Sequence, residues 1–404
     1  MGRSNNKNQK ATKTILLFLM FGCGGFLIPM SQYWGVSPPE PQLTWNGQPF
    51  RPIGFNYYPS VECWKDMWKY WDNETIANDF QIIKSLGGNC IRTFIHWQIL
   101  EQDFGVYNTT IVDRVVEFFQ LAEDAGLAIQ LGFFDGGIPE LTPKWWNDDG
   151  WENDSYYDAG WTGFNRSDFS PDEEGEAEYK QALNDAKFTN QSIINREVAQ
   201  LELLIPLLKN YSSAFIWDIM NEPASSNVPV EVFADWVENM STTIRAVDPD
   251  HLVTVGGGYG NFEDPALFAQ YLDVVCAHTY RDRDGLRWER SGFRSYLKPF
   301  IATGKPVMVQ EVGWNTFAIS ESRQADNYRT VFSAGDEMGL AGIMFWCLWD
   351  YALPFWDENE RAFGVLRDDG SWKPAAHVFQ SYMNETFTYS TNWRWDGLNW
   401  GWLF

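Results

Sequence analysis

Eight apolar runs recur along the chain, each short and bounded by glycine, proline or polar residues. The runs cover residues 52–58, 88–95, 127–134, 214–220, 251–257, 274–280, 305–313 and 342–349. They contain many β-branched and aromatic residues and are too short for typical helices. Each run therefore predicts a buried strand.

Segments with helical spacing lie between these runs. Ile76, Phe80 and Ile83 recur at i, i+4 and i+7, a spacing that places apolar side chains on one face of a helix. Gly87 and Gly126 stand where a helical segment gives way to the next strand, as is typical of a helix C-terminus. The alternation of strands and helices predicts an α/β protein with a parallel sheet.

Eight strand–helix units favour a sheet closed on itself, a single (β/α)8 TIM barrel. An open, doubly wound sheet is the structural alternative. That fold has a glycine-rich phosphate-binding turn after its first strand, whereas this chain has "GFNYYPS" there. We therefore predict the barrel.

The barrel is predicted to occupy residues 43–385 as the catalytic domain. It opens with "LTWNGQPF", in which Asn46-Gly47 predicts a hairpin turn. Residues 37–42 form a short proline-rich spacer before the barrel, and residues 386–404 form a tryptophan-rich C-terminal tail.

A long aromatic and acidic insertion follows the third strand and covers residues 135–192, up to a helix that we expect to start near Ile193. Its tryptophans include Trp145, Trp146, Trp151 and Trp161. A segment of this length without obvious secondary structure is either a functional lid or partly disordered. The tryptophans favour a lid that walls a cleft.

Residues 1–36 have the pattern of a targeting segment, because basic residues precede the apolar run 15–30. The pattern predicts a signal peptide or a short signal anchor. The run is short for a full membrane span, which requires about 20 residues. No clear cleavage site follows it, so a secreted protein and a membrane-anchored protein remain alternatives. Both place the folded part outside the cytoplasm.

The chain carries a formal net charge of −24. Such a charge repels phosphate backbones and anionic lipid, which excludes nucleic acid as a partner but suits a neutral glycan. Aromatic residues make up 17% of the chain and include 22 tryptophans, more than packing alone requires. We expect a monomer without a cofactor. We also expect no metal, since no His and Cys cluster has the spacing of metal ligands.

Two carboxylates stand at the ends of predicted strands. Glu222 ends the fourth strand in "AFIWDIMNEP", and Glu311 ends the seventh in "VMVQEVGW". In a barrel, the carboxyl ends of all strands meet at one face, so these side chains should converge. A pair of acids facing one sugar is the arrangement that cleaves a glycosidic bond.

The motifs "IMNEP" and "VQEVGW" resemble those of retaining glycoside hydrolases of clan A, family 5, the cellulase and mannanase family. The resemblance covers roughly residues 43–385. It implies that Glu222 is the acid/base and that Glu311 is the nucleophile. It also implies that Asn221 binds the 2-hydroxyl of the sugar.

Further positions match residues that surround the two acids in that family. The resemblance implies that Arg92, in "CIRTF", keeps Glu311 ionised, so that Glu222 retains its proton. It places His278 and Tyr280, in "CAHTY", near both carboxylates. It implies that Trp346 is the aromatic surface beneath the sugar and that Trp349 lies beside it.

The third strand departs from many family members, because "QLGFFDGG" lacks their histidine. The ending "FFDGG" and the first strand "GFNYYPS" are similar to mannanase-like members, which favours β-1,4-mannan over glucan. Asp135 is interpreted either as a substrate ligand or as a turn-forming residue before Gly136 and Gly137.

These patterns predict a retaining endo-β-glycanase that acts on β-1,4-linked mannan or glucan. An exo-acting β-glycosidase or a transglycosylase on the same site is the alternative within enzymes. A glycan-binding barrel without activity is the alternative from another class, and the complete set of polar site residues argues against it.

Overall fold

The structure, a computed structural model, describes residues 39–103, 105–135, 166–223, 226–257, 265–280, 290–352 and 358–385. The predicted leader, the C-terminal tail and the four tryptophans of the insertion lie outside the described residues. Within these ranges, no helix combines the length and the apolar composition needed to cross a membrane.

Two short hairpins and one parallel sheet account for the strands of the described residues. The strands are β1 Leu43–Trp45, β2 Gln48–Phe50, β3 Ile53–Asn56, β4 Cys90–Phe94, β5 Glu101–Asp103, β6 Val106–Tyr107, β7 Ala128–Asp135, β8 Ala214–Asn221, β9 Leu252–Thr254, β10 Val275–Thr279, β11 Val307–Val312 and β12 Gly342–Phe345. All eight runs that predicted barrel strands contain one of these strands.

The eight-stranded parallel sheet has the order β10-β11-β12-β3-β4-β7-β8-β9. Its two outer strands approach each other, because the backbone N–H of Asp273 donates to Val253 at 2.9 Å. The hydroxyl of Thr254 also donates to the carbonyl of Val274 at 2.8 Å. The sheet therefore curls into the predicted (β/α)8 barrel.

Helices surround this barrel and connect its strands. They are α1 Lys65–Lys69, α2 Asn73–Ser85, α3 Trp97–Leu100, α4 Thr109–Ala125, α5 Glu173–Thr189, α6 Gln191–Leu208, α7 Val230–Val247, α8 Ala266–Ala269, α9 Arg290–Ala302, α10 Glu321–Met338 and α11 over residues 374–385. Short 3-10 turns cover Arg166–Asp168 and Glu358–Ala362.

The first barrel helix shows why these segments fold as they do. Asp72 caps α2, and its side chain accepts a hydrogen bond from the backbone of Thr75 at 3.1 Å. The predicted apolar face of Ile76, Phe80 and Ile83 is buried. That face holds the helix against the barrel.

Side chains inside the barrel change from apolar to polar along the strands. Cys90, Ile216, Cys276 and Met308 belong to one buried apolar cluster toward the N-terminal ends of their strands. Because side chains two residues apart share a face of a strand, the next interior positions are Arg92, Asp218, His278 and Gln310. The polar residues thus concentrate toward the C-terminal face, where sites of this fold lie.

The hairpin β1–β2 covers the N-terminal end of the barrel and confirms the turn predicted at Asn46-Gly47. Gly47 has φ 72°, the left-handed conformation that such turns require. Phe50 packs edge-on against Phe215 of β8, with 5.0 Å between ring centroids. The side chain of Asn46 donates to the carbonyl of Ser212 at 2.8 Å.

Most of the described part of the insertion is helical. Its helix α5 ends directly before α6, which starts at Gln191, close to the start expected near Ile193. Lys187 of α5 is buried and donates to the backbone carbonyl of Asp135, at the end of β7, at 2.6 Å. The C-terminal part of the insertion is therefore helical and packs onto the C-terminal face, while residues 136–165 lie outside the described residues.

The four cysteines of the described residues are buried and free. Cys90 and Cys276 lie in barrel strands, Cys347 follows β12, and Cys63 lies in the loop before α1. Burial raises the pKa of Cys63 to about 12, so that its thiol stays protonated at neutral pH.

Candidate active site

Glu222 stands at the point where β8 ends. The strand delivers eight buried residues up to Asn221, and Glu222 then adopts φ 42°, a left-handed conformation that is uncommon outside glycine. Such a backbone costs about 1–3 kcal/mol and persists only where the surroundings enforce it. Pro223 follows, where strand pairing has ceased. The Glu222 side chain is 37% exposed.

Glu311 lies within β11 and is buried, with a side chain that is 6% exposed. One carboxylate oxygen accepts a hydrogen bond from Nη1 of Arg92, and the other accepts from the Tyr280 hydroxyl at 2.5 Å. Both donors stabilise the charged form of a carboxylate. Glu311 therefore differs sharply from Glu222 in its surroundings.

The two carboxylates converge as predicted. An oxygen of Glu222 and an oxygen of Glu311 lie within 4.8 Å of each other, although the residues belong to different strands. Carboxyl groups of retaining glycosidases are about 5–5.5 Å apart, and those of inverting enzymes about 6.5–9.5 Å apart. The oxygen–oxygen separation here is compatible with the closer arrangement.

Arg92 is fully buried beneath this pair. Its Nε donates to Asp218 at 2.9 Å, its Nη1 to Asn56 at 3.0 Å and its Nη2 to Asn221 at 2.8 Å. Burial lowers the pKa of Arg92, but the carboxylates of Asp218 and Glu311 outweigh that effect and raise it. Arg92 is therefore a permanent cation that carries hydrogen bonds to three barrel strands besides its own.

Asn221 connects Arg92 to the third barrel strand. Its amide oxygen accepts from Arg92, which leaves its NH2 group to face the site. That group lies 3.4 Å from a carboxylate oxygen of Asp135, the last residue of β7. Asp135 is buried and its side chain reaches Asn221, while Gly136 and Gly137, on which the turn-forming interpretation depends, lie outside the described residues.

His278 lies between the two acids. Its Nδ1 is 2.8 Å from Oε1 of Glu222 and 3.5 Å from Oε2 of Glu311. Burial lowers the pKa of His278, but the neighbouring carboxylates of Glu311 and Glu222 raise it by more. Burial and the Glu311 charge also raise the pKa of Tyr280 well above its usual range, so that its hydroxyl remains a donor.

The two predicted tryptophans differ in their contacts. Trp346 is buried at the end of β12 and meets Trp64 edge-on, with 5.7 Å between ring centroids. Trp349 donates its Nε1–H to Asp79 of α2 at 3.0 Å. The polar atom of Trp349 is thereby bound to helix α2, whereas Trp346 packs against another aromatic ring.

Asn56, Asp218 and Gln310 belong to the site but were missed in the sequence. Asn56 links Arg92 to the carbonyl of Gln310, and Asp218 accepts from both Arg92 and Gln310. A usable signal existed, because Asp218 and Gln310 interrupt otherwise apolar strands. A buried polar side chain in such a strand requires a partner.

Among the described residues, Glu222, His278 and Glu311 form a group whose ligand atoms could surround a cation, all within 4.8 Å of one another. His278 Nδ1 already pairs with Glu222, and each oxygen of Glu311 already accepts a hydrogen bond, one from Arg92 and one from Tyr280. A buried arginine beside this carboxylate opposes a second positive charge. The arrangement suits proton transfer and nucleophilic attack.

Fold and site together define the class, a (β/α)8 barrel whose paired acids lie at the carboxyl ends of the strands. The chain belongs to the cellulase family, glycosyl hydrolase family 5, whose model matches residues 44–352. That span contains every strand of the barrel.

Individual relatives are distant. Mannan endo-1,4-beta-mannosidase A of Emericella nidulans is 26% identical over 171 residues, which are 39% of this chain and 43% of that protein. The chain thus spans less than half of the length of this relative.

Two solved structures share the fold. An exo-beta-1,4-mannosidase from Opitutaceae bacterium strain TAV5 is 22% identical with a TM-score of 0.67, over 86% of this chain and 62% of that one. A GH5_18 protein from Streptomyces cattleya, in complex with Manb1-4GlcNAc, is 18% identical with a TM-score of 0.66, over 83% and 80%.

Proposed function

We propose that this chain hydrolyses β-1,4-linked mannosides by a retaining double displacement outside the cytoplasm. The observation that carries the proposal is the pair of carboxylates within 4.8 Å, one accessible and one buried against an arginine. Two acids in such unlike surroundings suit the two unlike roles that this reaction requires. The location rests on the leader-like sequence of residues 1–36.

The first displacement begins with Glu222 protonated and Glu311 ionised. Glu222 gives its proton to the glycosidic oxygen while Glu311 attacks the anomeric carbon. The carbon–oxygen bond breaks, and a glycosyl ester forms on Glu311. Glu222, now a carboxylate, then takes a proton from water, whose oxygen attacks the anomeric carbon and releases Glu311.

The remaining predicted residues position these groups. Arg92 and Tyr280 donate to Glu311, which holds its charge and its orientation. The NH2 group of Asn221 is oriented by Arg92 and is assigned to the sugar 2-hydroxyl. His278 orients Glu222, and Trp346 is assigned as the apolar surface beneath the sugar.

A β-1,4-linked mannose is common to three of the related proteins. One is a mannan endo-1,4-beta-mannosidase, one is an exo-beta-1,4-mannosidase, and one is bound to Manb1-4GlcNAc. The "FFDGG" ending of β7 supports the same substrate class. β-1,4-Glucan is the alternative polymer, and hydrolysis rates on mannan, glucomannan and cellulose distinguish the two.

An exo-acting enzyme is the second candidate. Helix α5 of the insertion is anchored on Asp135 beside Asn221, which places additional structure at one side of the site. A cleft closed at one side favours cleavage from chain ends. A product time course on a β-1,4-mannan decides, because mixed oligosaccharides indicate endo action and mannose or a single small product indicates exo action.

Azide rescue of alanine variants tests the assigned roles. On an aryl β-mannoside with a good leaving group, both Glu222→Ala and Glu311→Ala should lose roughly 10³-fold or more in turnover. Azide should then yield the β-mannosyl azide with Glu222→Ala, by attack on the glycosyl-enzyme. It should yield the α-mannosyl azide with Glu311→Ala, by direct attack from the vacated face.

Glu321→Ala provides a matched control, since this carboxylate pairs with Arg367 at the surface, away from the barrel interior. Its activity should remain at the level of the unsubstituted chain. Wild-type turnover by Glu311→Ala would refute the mechanism, and exchanged azide products would reverse the two roles.

A further inference from the structure

A buried hydrogen-bonded chain leads from His278 into the barrel, on the side of the ring opposite Glu222. Nε2 of His278 lies 2.9 Å from Oε1 of Gln310, and Nε2 of Gln310 donates to Oδ2 of Asp218 at 2.8 Å. Gln310 and Asp218 are both completely buried. Solvent therefore offers neither residue a competing partner.

The acceptor role of Asp218 fixes the direction of the hydrogen bonds that link Asp218 to Gln310 and Gln310 to His278. Its Oδ2 lies 2.9 Å from both Nε and Nη2 of Arg92, and two guanidinium N–H groups directed at one oxygen exclude a proton from it, so Oδ2 can only accept. Gln310 must therefore face Asp218 with its NH2 group. The amide oxygen of Gln310 then points to His278, and an amide oxygen can only accept.

These directions determine which ring nitrogen of His278 carries a hydrogen. Its Nε2 must carry a hydrogen to donate to Gln310, so the neutral ring has a bare Nδ1. This Nδ1 faces Oε1 of Glu222 at 2.8 Å. A bare nitrogen and a carboxylate repel each other, so the contact requires one proton, carried by Glu222 or by Nδ1.

We propose that Gln310, held by Asp218, is a positioning residue that locks His278 in the Nε2–H tautomer and thereby retains a proton on the Nδ1–Glu222 hydrogen bond. The inference rests on the proposed role of Glu222 as the acid. It explains how an exposed glutamate keeps its proton beside the leaving group.

The charged groups around His278 are consistent with this lock. Glu222 faces the ring from the end of β8, Glu311 from β11 and Arg92 from β4, while Asp218 lies behind Gln310. The acids raise the pKa of His278 and thus help the pair to hold a proton at neutral pH. Arg92 opposes them in part.

Without the amide oxygen of Gln310, Nε2–H of His278 has no acceptor, and the Nε2–H tautomer is no longer favoured. The ring of a Gln310→Met variant can then adopt the Nδ1–H tautomer and donate to ionised Glu222. That contact stabilises the carboxylate and lowers the pH at which Glu222 loses its proton. The basic limb of the kcat/KM profile should move to lower pH by about half a unit or more.

Nitrogen-15 NMR of the histidine rings tests the lock without any substrate. The chain has four histidines, and a His278→Asn variant identifies the resonances of His278. In the full-length protein, neutral His278 should have hydrogen on Nε2 and none on Nδ1. Gln310→Met should populate the Nδ1–H form, whereas Gln310→Glu, which keeps an acceptor oxygen, should retain Nε2–H.

Gln130→Met is the matched control, since Gln130 is an equally buried amide on β7, across the barrel from Gln310 on β11. It should leave the tautomer and the pH profile unchanged. A His278 ring with hydrogen on Nδ1 and none on Nε2 in the unsubstituted protein, or an unchanged tautomer in Gln310→Met, would overturn the inference. Absence of turnover on every β-mannoside would instead refute the proposed function and leave the tautomer result standing.

Discussion

Arg51 and Arg92 are buried at opposite ends of the same barrel, and their surroundings differ. Arg51, before β3, pairs with Asp336 at 2.9 Å and donates to the Tyr382 hydroxyl and to a backbone carbonyl. Its partners lie on the outer helices and their connections. Arg92 instead contacts the side chains of Asn56, Asp218, Asn221 and Glu311 around the barrel interior.

Buried arginine–carboxylate pairs therefore serve two purposes in this fold. At the N-terminal end, the barrel interior is apolar and a hairpin covers it, so Arg51 fastens the helices around it. At the C-terminal end, the interior is polar and Arg92 holds the acids in place. We therefore expect stability and activity to separate between the two ends.

The largest effect should follow Arg92→Met, which leaves Asp218 and Glu311 buried without their cation. Removing one partner of a buried pair costs about 3–5 kcal/mol in the free energy of unfolding. The turnover of the remaining folded protein should also fall by roughly 10²–10³-fold, since Glu311 loses its electrostatic support. Urea unfolding and kcat/KM normalised to the folded fraction measure the two losses.

Arg51→Met is the control for this variant at the other end. It should destabilise the protein by a similar amount because Asp336 loses its partner, yet its normalised activity should stay within about twofold of wild type. An equal loss of normalised activity in both variants would show that the two ends are not functionally distinct.

A second test removes an aromatic ring from the apolar end. Phe215 is buried beneath the hairpin and contacts Phe50. Phe215→Ala should lower the free energy of unfolding by about 3–5 kcal/mol through lost packing and a cavity. Normalised kcat should not change. A destabilisation below about 1 kcal/mol would mean that the hairpin does not seal this end.

A third test uses pH at the polar end. Burial raises the pKa of Asp79 to about 7, although hydrogen bonds from Tyr57 and Trp349 lower it in part. The native state thus retains a proton that the unfolded chain releases near pH 4. Stability should therefore fall as pH rises from about 4 to about 7, by up to about 1.4 kcal/mol per pH unit.

Asp79→Asn keeps an acceptor oxygen for both donors and should remove this part of the pH dependence. Urea unfolding between pH 4 and pH 8 measures the slope for each protein. Asp113→Asn, on the exposed face of α4, should retain the wild-type slope. The same slope in all three proteins would contradict the assignment to Asp79.

The smallest expected effect concerns the hairpin turn. Gly47 has φ 72° with open space around it, so Gly47→Ala should cost about 1 kcal/mol from backbone conformation alone. Gly292 lies in α9, also with open space, and Gly292→Ala should stabilise by about 0.5–1 kcal/mol. Both variants should keep full activity. Equal effects on stability would contradict the assigned turn.

The barrel and the two acids were predictable because their patterns are strong. Eight apolar runs with helical segments between them admit few folds, and Glu222 and Glu311 follow such runs directly. Helix α5 was missed, although Tyr179, Leu183 and Ala186 recur at i, i+4 and i+7 and are buried. The many acidic residues between them obscured that face.

Other features depend on contacts that a single sequence does not contain. The polarity of Asp218 and Gln310 was visible, but the direction of their hydrogen bonds depends on Arg92, more than a hundred residues away from both. The left-handed backbone of Glu222 likewise follows from how β8 ends against its neighbours, and glutamate itself has no preference for that conformation.

Proton NMR of the first product tests the central claim most directly, namely that Glu222 and Glu311 act together across one sugar. A β-1,4-mannooligosaccharide is hydrolysed in D2O, and the new reducing end is observed before it mutarotates. The account predicts that the β-anomer appears first and that the α-anomer follows at the rate of mutarotation. Initial appearance of the α-anomer would contradict it.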